Sequence, residues 1–155
     1  MRKRSSYRPR EVVDPLAIFA PVEKAKANVM MIRYLSAVEA MGKGSAGVEE
    51  MRDLADVVNF VETLTVSMKR MEKDEVMPIV QAATSGLVQA TESAVSGRYQ
   101  LTGWALEAVE VLVDIYRQGL ERLSAHEMVM AQNITARRVA ELQRQRKPNA
   151  RLIKV

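Results

Sequence analysis

Three groups of residues carry side chains that could do chemistry. Glu107, Glu110 and Asp114 fall at i, i+3 and i+7, which puts three carboxylates on one helix face. Such a row holds a cation only if a second helix supplies more ligands, and the Glu-x-x-His pairs of di-metal bundles do not occur. A solvated acidic ridge is the expectation. Glu49, Glu50, Asp53 and Asp56 crowd the start of another helical stretch, where carboxylates favour the positive end of the dipole without any catalytic task. Ser124 and His126 are close in sequence but point apart on one helical turn, so they do not make a nucleophile and its base. Gly42-Lys-Gly-Ser-Ala-Gly47 has the spacing of a dinucleotide-binding turn, yet no strand precedes it, and a helix-ending turn is the better reading. No catalytic residue, cofactor or metal site is expected, and the chain reads as a non-enzyme.

Composition narrows the field further. The 155 residues contain no cysteine and one histidine, which removes disulfides, thiolate metal sites and any site needing two imidazoles. Hydrophobic residues make up 48% and charged residues 27%, which suits one folded domain rather than a disordered chain. No apolar run approaches the roughly 18 residues a membrane span needs. Leu16–Val22 follows a basic start, but Glu11, Asp14, Pro15 and Pro21 interrupt it, so an export signal is rejected.

The net charge of +4 conceals a segregation. Residues 1–10 carry Arg2, Lys3, Arg4, Arg8 and Arg10 with no acid, and residues 137–155 carry seven basic residues and Glu141. Residues 11–136 hold eleven basic and eighteen acidic residues, for a net −7. An acidic body with two cationic ends points to phosphate contact, with Arg2, Lys3, Arg4, Arg8, Arg10, Arg144, Arg146 and Lys147 as the nucleic-acid-binding candidates. Only Tyr7 is available in the arm to stack on a base, so sequence-tolerant backbone contact is the expected mode. The competing reading is that the ends solubilise the chain or dock on its own acids.

The elements that would position these groups are helical throughout. Residues 1–14 read as an extended basic arm, 15–145 as the helical domain and 146–155 as a basic tail. Asp14-Pro15 is a helix start that Pro21 limits to about one turn. Val22, Ala25, Val29 and Ile32 predict the core face of a helix over Pro21–Met41. Met51, Leu54, Val58, Val61, Thr65 and Met68, widened by Val57, Leu64 and Met71, predict a second over Val48–Met71. Asp74 caps a third, with Pro78 in its first turn and a seam of Val76, Val80, Ala83, Leu87, Ala90 and Ala94, ended by Gly97. Thr102 caps a fourth, striped by Leu106, Val109, Val113, Tyr116, Leu120 and Leu123, with Trp104 as a core anchor. Ser124-Ala-His-Glu127 is a capping box that opens a fifth segment to about Arg144 through Met128, Met130, Ile134, Val139 and Leu142. The fold class is all-α, a bundle of four to five helices with a basic arm and tail.

Nine of the ten methionines fall at positions along these helices. Flexible thioethers fill core gaps and also suit an adaptable groove, and helices apolar over a wide arc gain from burial in a homo-oligomer.

The opening Met1-Arg-Lys-Arg-Ser-Ser-Tyr-Arg-Pro-Arg10 resembles the start of small all-helical proteins encoded by phages and prophages of Gram-negative bacteria. Asn59-Phe-Val-Glu-Thr-Leu64 and Ser96-Gly-Arg-Tyr-Gln-Leu101 are similar to their middle and C-terminal half. The resemblance implies a phage accessory role in a bacterial cytoplasm and brings no catalytic residue with it. Two functions are expected to compete: a nucleic-acid-associated regulator using the basic ends, and a host-directed protein-binding inhibitor using the acidic body or a methionine-lined groove.

Overall fold

The computed structural model describes residues 24–145. The arm, the Asp14-Pro15 start and the tail, with Arg2, Lys3, Arg4, Arg8, Arg10, Arg146 and Lys147, lie outside the described residues. Five helices follow one another: α1 (Lys24–Lys43), α2 (Val48–Glu62), α3 (Lys73–Glu92), α4 (Gly103–Arg122) and α5 (Ala125–Gln145). A π-helical turn, Thr63–Ser67, extends α2. Among the described residues there is no strand, only the isolated bridges Ala46–Tyr99 and Val95–Arg98. The all-α bundle expected from periodicity is what the chain forms. No helix among these residues is long and apolar enough to cross a membrane.

α2 is the central element. Met51, Leu54, Ala55, Val57, Val58, Phe60 and Val61 are all buried, so apolar groups cover most of its circumference and the other helices enclose it. The predicted α4 stripe packs against it: Val109, Val113, Tyr116, Leu120 and Leu123 are buried, Leu106 is half-buried, and Leu112, outside the predicted set, joins them. α3 contributes Val76, Val80, Ala83, Leu87 and Ala90. Two methionines, Met41 and Met51, are fully enclosed and act as core filler.

Several expectations are corrected. α1 is apolar on two opposite faces, and periodicity alone cannot choose between them. Tyr34, Ala37, Val38 and Met41 turn inward, whereas Val29 and Ile32 are 67% and 66% exposed. The inward face carries the larger groups and so buries more apolar area. Trp104 is not a core anchor but 55% exposed. Its neighbour Ala105 takes the inward position, where α3 approaches too closely to admit anything larger. α2 stops short of Met71: Lys69 adopts φ 52°, and Arg70 N–H reaches back to the Leu64 carbonyl at 2.9 Å to close the end. α3 begins at Lys73 after Glu72, which makes no side-chain cap bond. Asp74 and Glu75 are therefore first-turn acids that favour the dipole, and Pro78 lies two residues further into the helix than expected. α3 closes at Glu92, before Ala94 and Gly97, and Gly97 serves the turn that follows with φ +71°. Met130 in α5 is exposed.

Thr102 stands at the N-cap position of α4 but makes no side-chain cap bond, whereas the capping box before α5 forms as read. Ser124 Oγ accepts the Glu127 N–H at 3.2 Å while Glu127 Oε2 accepts the Ser124 N–H at 3.0 Å, a reciprocal capping box. Gly44, at φ +70°, ends α1, and the Gly47 N–H donates to Glu50 Oε2 at 2.7 Å as α2 begins.

Gly86 sets the spacing of α3 against α4. A Cβ at this position would lie 2.7 Å from the Ala105 Cβ and 3.3 Å from its Cα. Gly86→Ala is therefore expected to push the helices apart at a cost of about 1–3 kcal/mol. Calorimetry should show a Tm lowered by about 3–10 °C, and an unchanged Tm would contradict this close approach.

Candidate functional site

The site begins with how α1 and α5 attach to α2. Arg33 on α1 donates through Nε to Asp53 Oδ2 at 2.6 Å, and its Nη2 also pairs with Oδ1, a bidentate contact to a carboxylate that is itself buried. On the other flank Arg138 Nη2 meets Glu62 Oε2 at 2.9 Å, and Thr135 Oγ1 lies 2.8 Å from Thr63 Oγ1. Arg70 pairs with Glu127 at the start of α5. The π-helical turn belongs to this attachment. The Thr63 and Thr65 hydroxyls donate to carbonyls four residues back, at 3.0 and 2.8 Å, so both threonines are buried without an unmet donor.

Between the two flanks lies a cleft of about 290 Å³. Met30 and Tyr34 of α1 form one wall, and Met128, Gln132, Thr135, Ala136 and Val139 of α5 form the other. Phe60 and Tyr116 line it from α2 and α4. Three rings are locked together there. Tyr34 meets Tyr116 edge-on at 5.1 Å between centroids, and Phe60 meets Tyr116 at 5.2 Å. Burial, and after it the Tyr34 hydroxyl, holds the Tyr116 phenol far above its ordinary range, so it remains a neutral donor.

Asp56 is the one carboxylate among the described residues that line the cleft. Protein packed around it, then the negative charge of Asp53, raises its carboxyl above the usual range, with Arg33 acting in the opposite sense. It still faces solvent at the mouth, so the rise is tempered by water. An aromatic-lined hollow with one carboxylate is suited to gripping apolar side chains beside a cation.

The remaining candidates separate. Glu107, Glu110 and Asp114 are exposed, and Asp114 is held by Arg117 and Gln118 at 2.6 and 2.8 Å, which keeps its carboxyl below the usual range. No group of three or more His, Asp or Glu among the described residues is arranged to hold a metal ion. His126 is exposed in the first turn of α5. Trp104 borders a smaller hollow of about 220 Å³ with Gly86, Gln89 and Ser93. Of the expected phosphate-binding residues, Arg144 alone is described. It is exposed near the end of α5, as is Arg137 two turns earlier, and neither pairs with a described carboxylate. The methionine-lined groove was legible only as a composition: Met30 and Met128 are brought together, whereas Asp56, Phe60 and Tyr116 join them through packing that no local spacing announces.

No protein-family model, curated protein or solved structure matches this chain.

The Asp56 shift has a definite sign. Its carboxyl titrates higher folded than unfolded, so the neutral form favours the fold. That contribution is complete below the ordinary carboxyl value of about 3.9 and is lost as pH rises through the folded value. Asp56→Asn is expected to match the parent's Tm near pH 3 and exceed it at pH 7. Equal Tm differences at both pH values would contradict the shift.

Proposed function

We propose that this chain is a non-enzymatic accessory protein of the phage or prophage kind, working in the cytoplasm of a bacterial host and associating with nucleic acid. Its cationic extremities hold phosphates: Arg2, Lys3, Arg4, Arg8 and Arg10 from one end, Arg144, Arg146 and Lys147 from the other. The observation that carries this reading is the segregation of charge: residues 11–136 are net −7, whereas residues 1–10 and 137–155 together hold twelve basic residues and one acid. Along the last turns of α5, Arg137 and Arg144 project into solvent with no carboxylate partner among the described residues, and Arg146 and Lys147 follow at once in the sequence.

The mechanism is counterion release. Each phosphate neutralised contributes about −0.9 to the slope of log affinity against log salt. The acidic remainder of the surface repels the duplex everywhere else, which confines contact to the ends. With one aromatic residue in the arm and none in residues 137–155, backbone contact dominates and sequence preference is weak.

A second reading, a host-directed protein-binding inhibitor, is favoured by the cleft between α1 and α5, whose opposing walls carry Met30 and Met128. The same apolar surfaces leave self-association as an option for the partner.

A gel shift on a short duplex separates the two. Six engaged cations predict an affinity falling about 10³-fold between 50 and 200 mM salt. Replacing Arg144, Arg146 and Lys147 together by Ala should reduce the slope by about 3. Binding indifferent to salt would contradict phosphate contact. A host protein retained in a pull-down after nuclease treatment would favour the second reading.

A further inference from the structure

α1 carries an apolar face that the bundle does not use. Val29, Ile32 and Leu35 are 67%, 66% and 56% exposed, and no other helix among the described residues exposes three large apolar side chains. At 100° per residue they share an arc of about 120° with Asn28 and Ser36, which are also exposed. The arc lies opposite Tyr34, Ala37, Val38 and Met41, so one bundle cannot bury both rows. Between Asn28 and Ser36 it holds no charge, because Arg33 stands beyond its edge and is turned to Asp53 on α2. A contiguous apolar face of this kind marks an interaction surface.

The order of residues along the arc selects the occupant. Two copies of α1 can lie antiparallel about a two-fold axis at Ile32, so that residues equally far before and after it face each other. Ile32 then meets Ile32 of the second copy, Val29 meets Leu35, and the Asn28 amide meets the Ser36 hydroxyl. Glu39 falls opposite residue 25, between Lys24 and Lys26. Each of these contacts except the axial one occurs twice by symmetry.

Charge separates this arrangement from its alternative. The first turn of α1 holds Lys24 and Lys26 and no acid, and the two lysines outweigh Glu23, which precedes them. Glu39 holds Lys43 of its own chain through Oε1, and its Oε2 can accept a cation from a second copy. A parallel pair would set Glu39 against Glu39 and Lys24 against Lys24, and like charges disfavour it. Two such arcs bury roughly 800–1,000 Å² in total, below the standard interface, which makes the association weak and concentration-dependent.

We propose that the outer face of α1 is a self-association surface, on which a second copy of this chain docks its own α1 in antiparallel register centred on Ile32. The contact uses neither the α1–α5 cleft nor the phosphate-binding candidates, so it stands or falls independently of both.

Sedimentation equilibrium of the full chain, from micromolar to millimolar concentration, tests it. The parent is expected to rise from 17.4 kDa towards twice that mass. A Kd of roughly tens to hundreds of micromolar suits an interface of this size. Ile32→Glu puts two carboxylates at the axis without touching the core. It should weaken the dimer about 100-fold or more, while circular dichroism stays that of the parent. Glu39→Lys should weaken it about tenfold, and adding Lys24→Glu and Lys26→Glu to that variant should restore it. A parent that stays monomeric throughout would overturn the proposal and leave the face to another occupant. An Ile32→Glu variant that dimerises like the parent, a Glu39→Lys dimer that is not weakened, or no recovery in the triple variant would overturn it equally.

Discussion

The enclosure of α2 is the constraint on which the rest depends. A helix with buried residues around most of its circumference cannot sit at a surface, so α1, α3, α4 and α5 must surround it. The close approach of α3 to α4 at Gly86 and Ala105 seals one side. The buried Asp53 carboxylate is the exception within this apolar helix, and it fixes α1 through Arg33. Removing either partner would leave a polar group stranded or a helix less firmly held. Among the described residues no buried side-chain polar atom lacks a hydrogen bond, so the centre holds no unpaired group that asks for a ligand.

The surfaces proposed for binding lie at the margins of the bundle. α1 and α5 attach to opposite flanks of α2 through different chemistry, a bidentate ion pair on one side and a threonine–arginine set on the other. The space left between them becomes the cleft over Phe60 and Tyr116. The last turns of α5 run on beyond these attachments and carry arginines that the body does not neutralise. Binding by exposed ends and by a marginal cleft fits a protein whose core is committed to holding itself together.

Much of this architecture was legible in the sequence. Regular three-and-four spacing identified the inward stripes of α2, α3 and α4, because those helices have one dominant apolar arc. The Ser124–Glu127 capping box marked the start of α5 through a local bond that needs no tertiary context. α1 defeated the same method because Val29 and Ile32 form a second apolar row opposite Tyr34 and Met41, and only packing selects between them. Trp104 was misplaced for a related reason: a single-position offset puts Ala105, not the larger ring, against Gly86. The cleft was the least legible feature. Its residues come from four helices, and Asp56 looked like one more acid in the opening turns of α2 until Phe60, Tyr116 and α5 were in place around it.

The central proposal is that recognition belongs to the cationic ends rather than to the helical body. An amide NMR titration of the full chain with a short DNA duplex addresses this most directly. The account predicts that the largest shifts come from residues 2–10 and 137–147, while the amides of α2 and α4 keep their positions. Shifts centred on Met30, Asp56 and Gln132 with the ends unmoved, or no shifts at all, would contradict it.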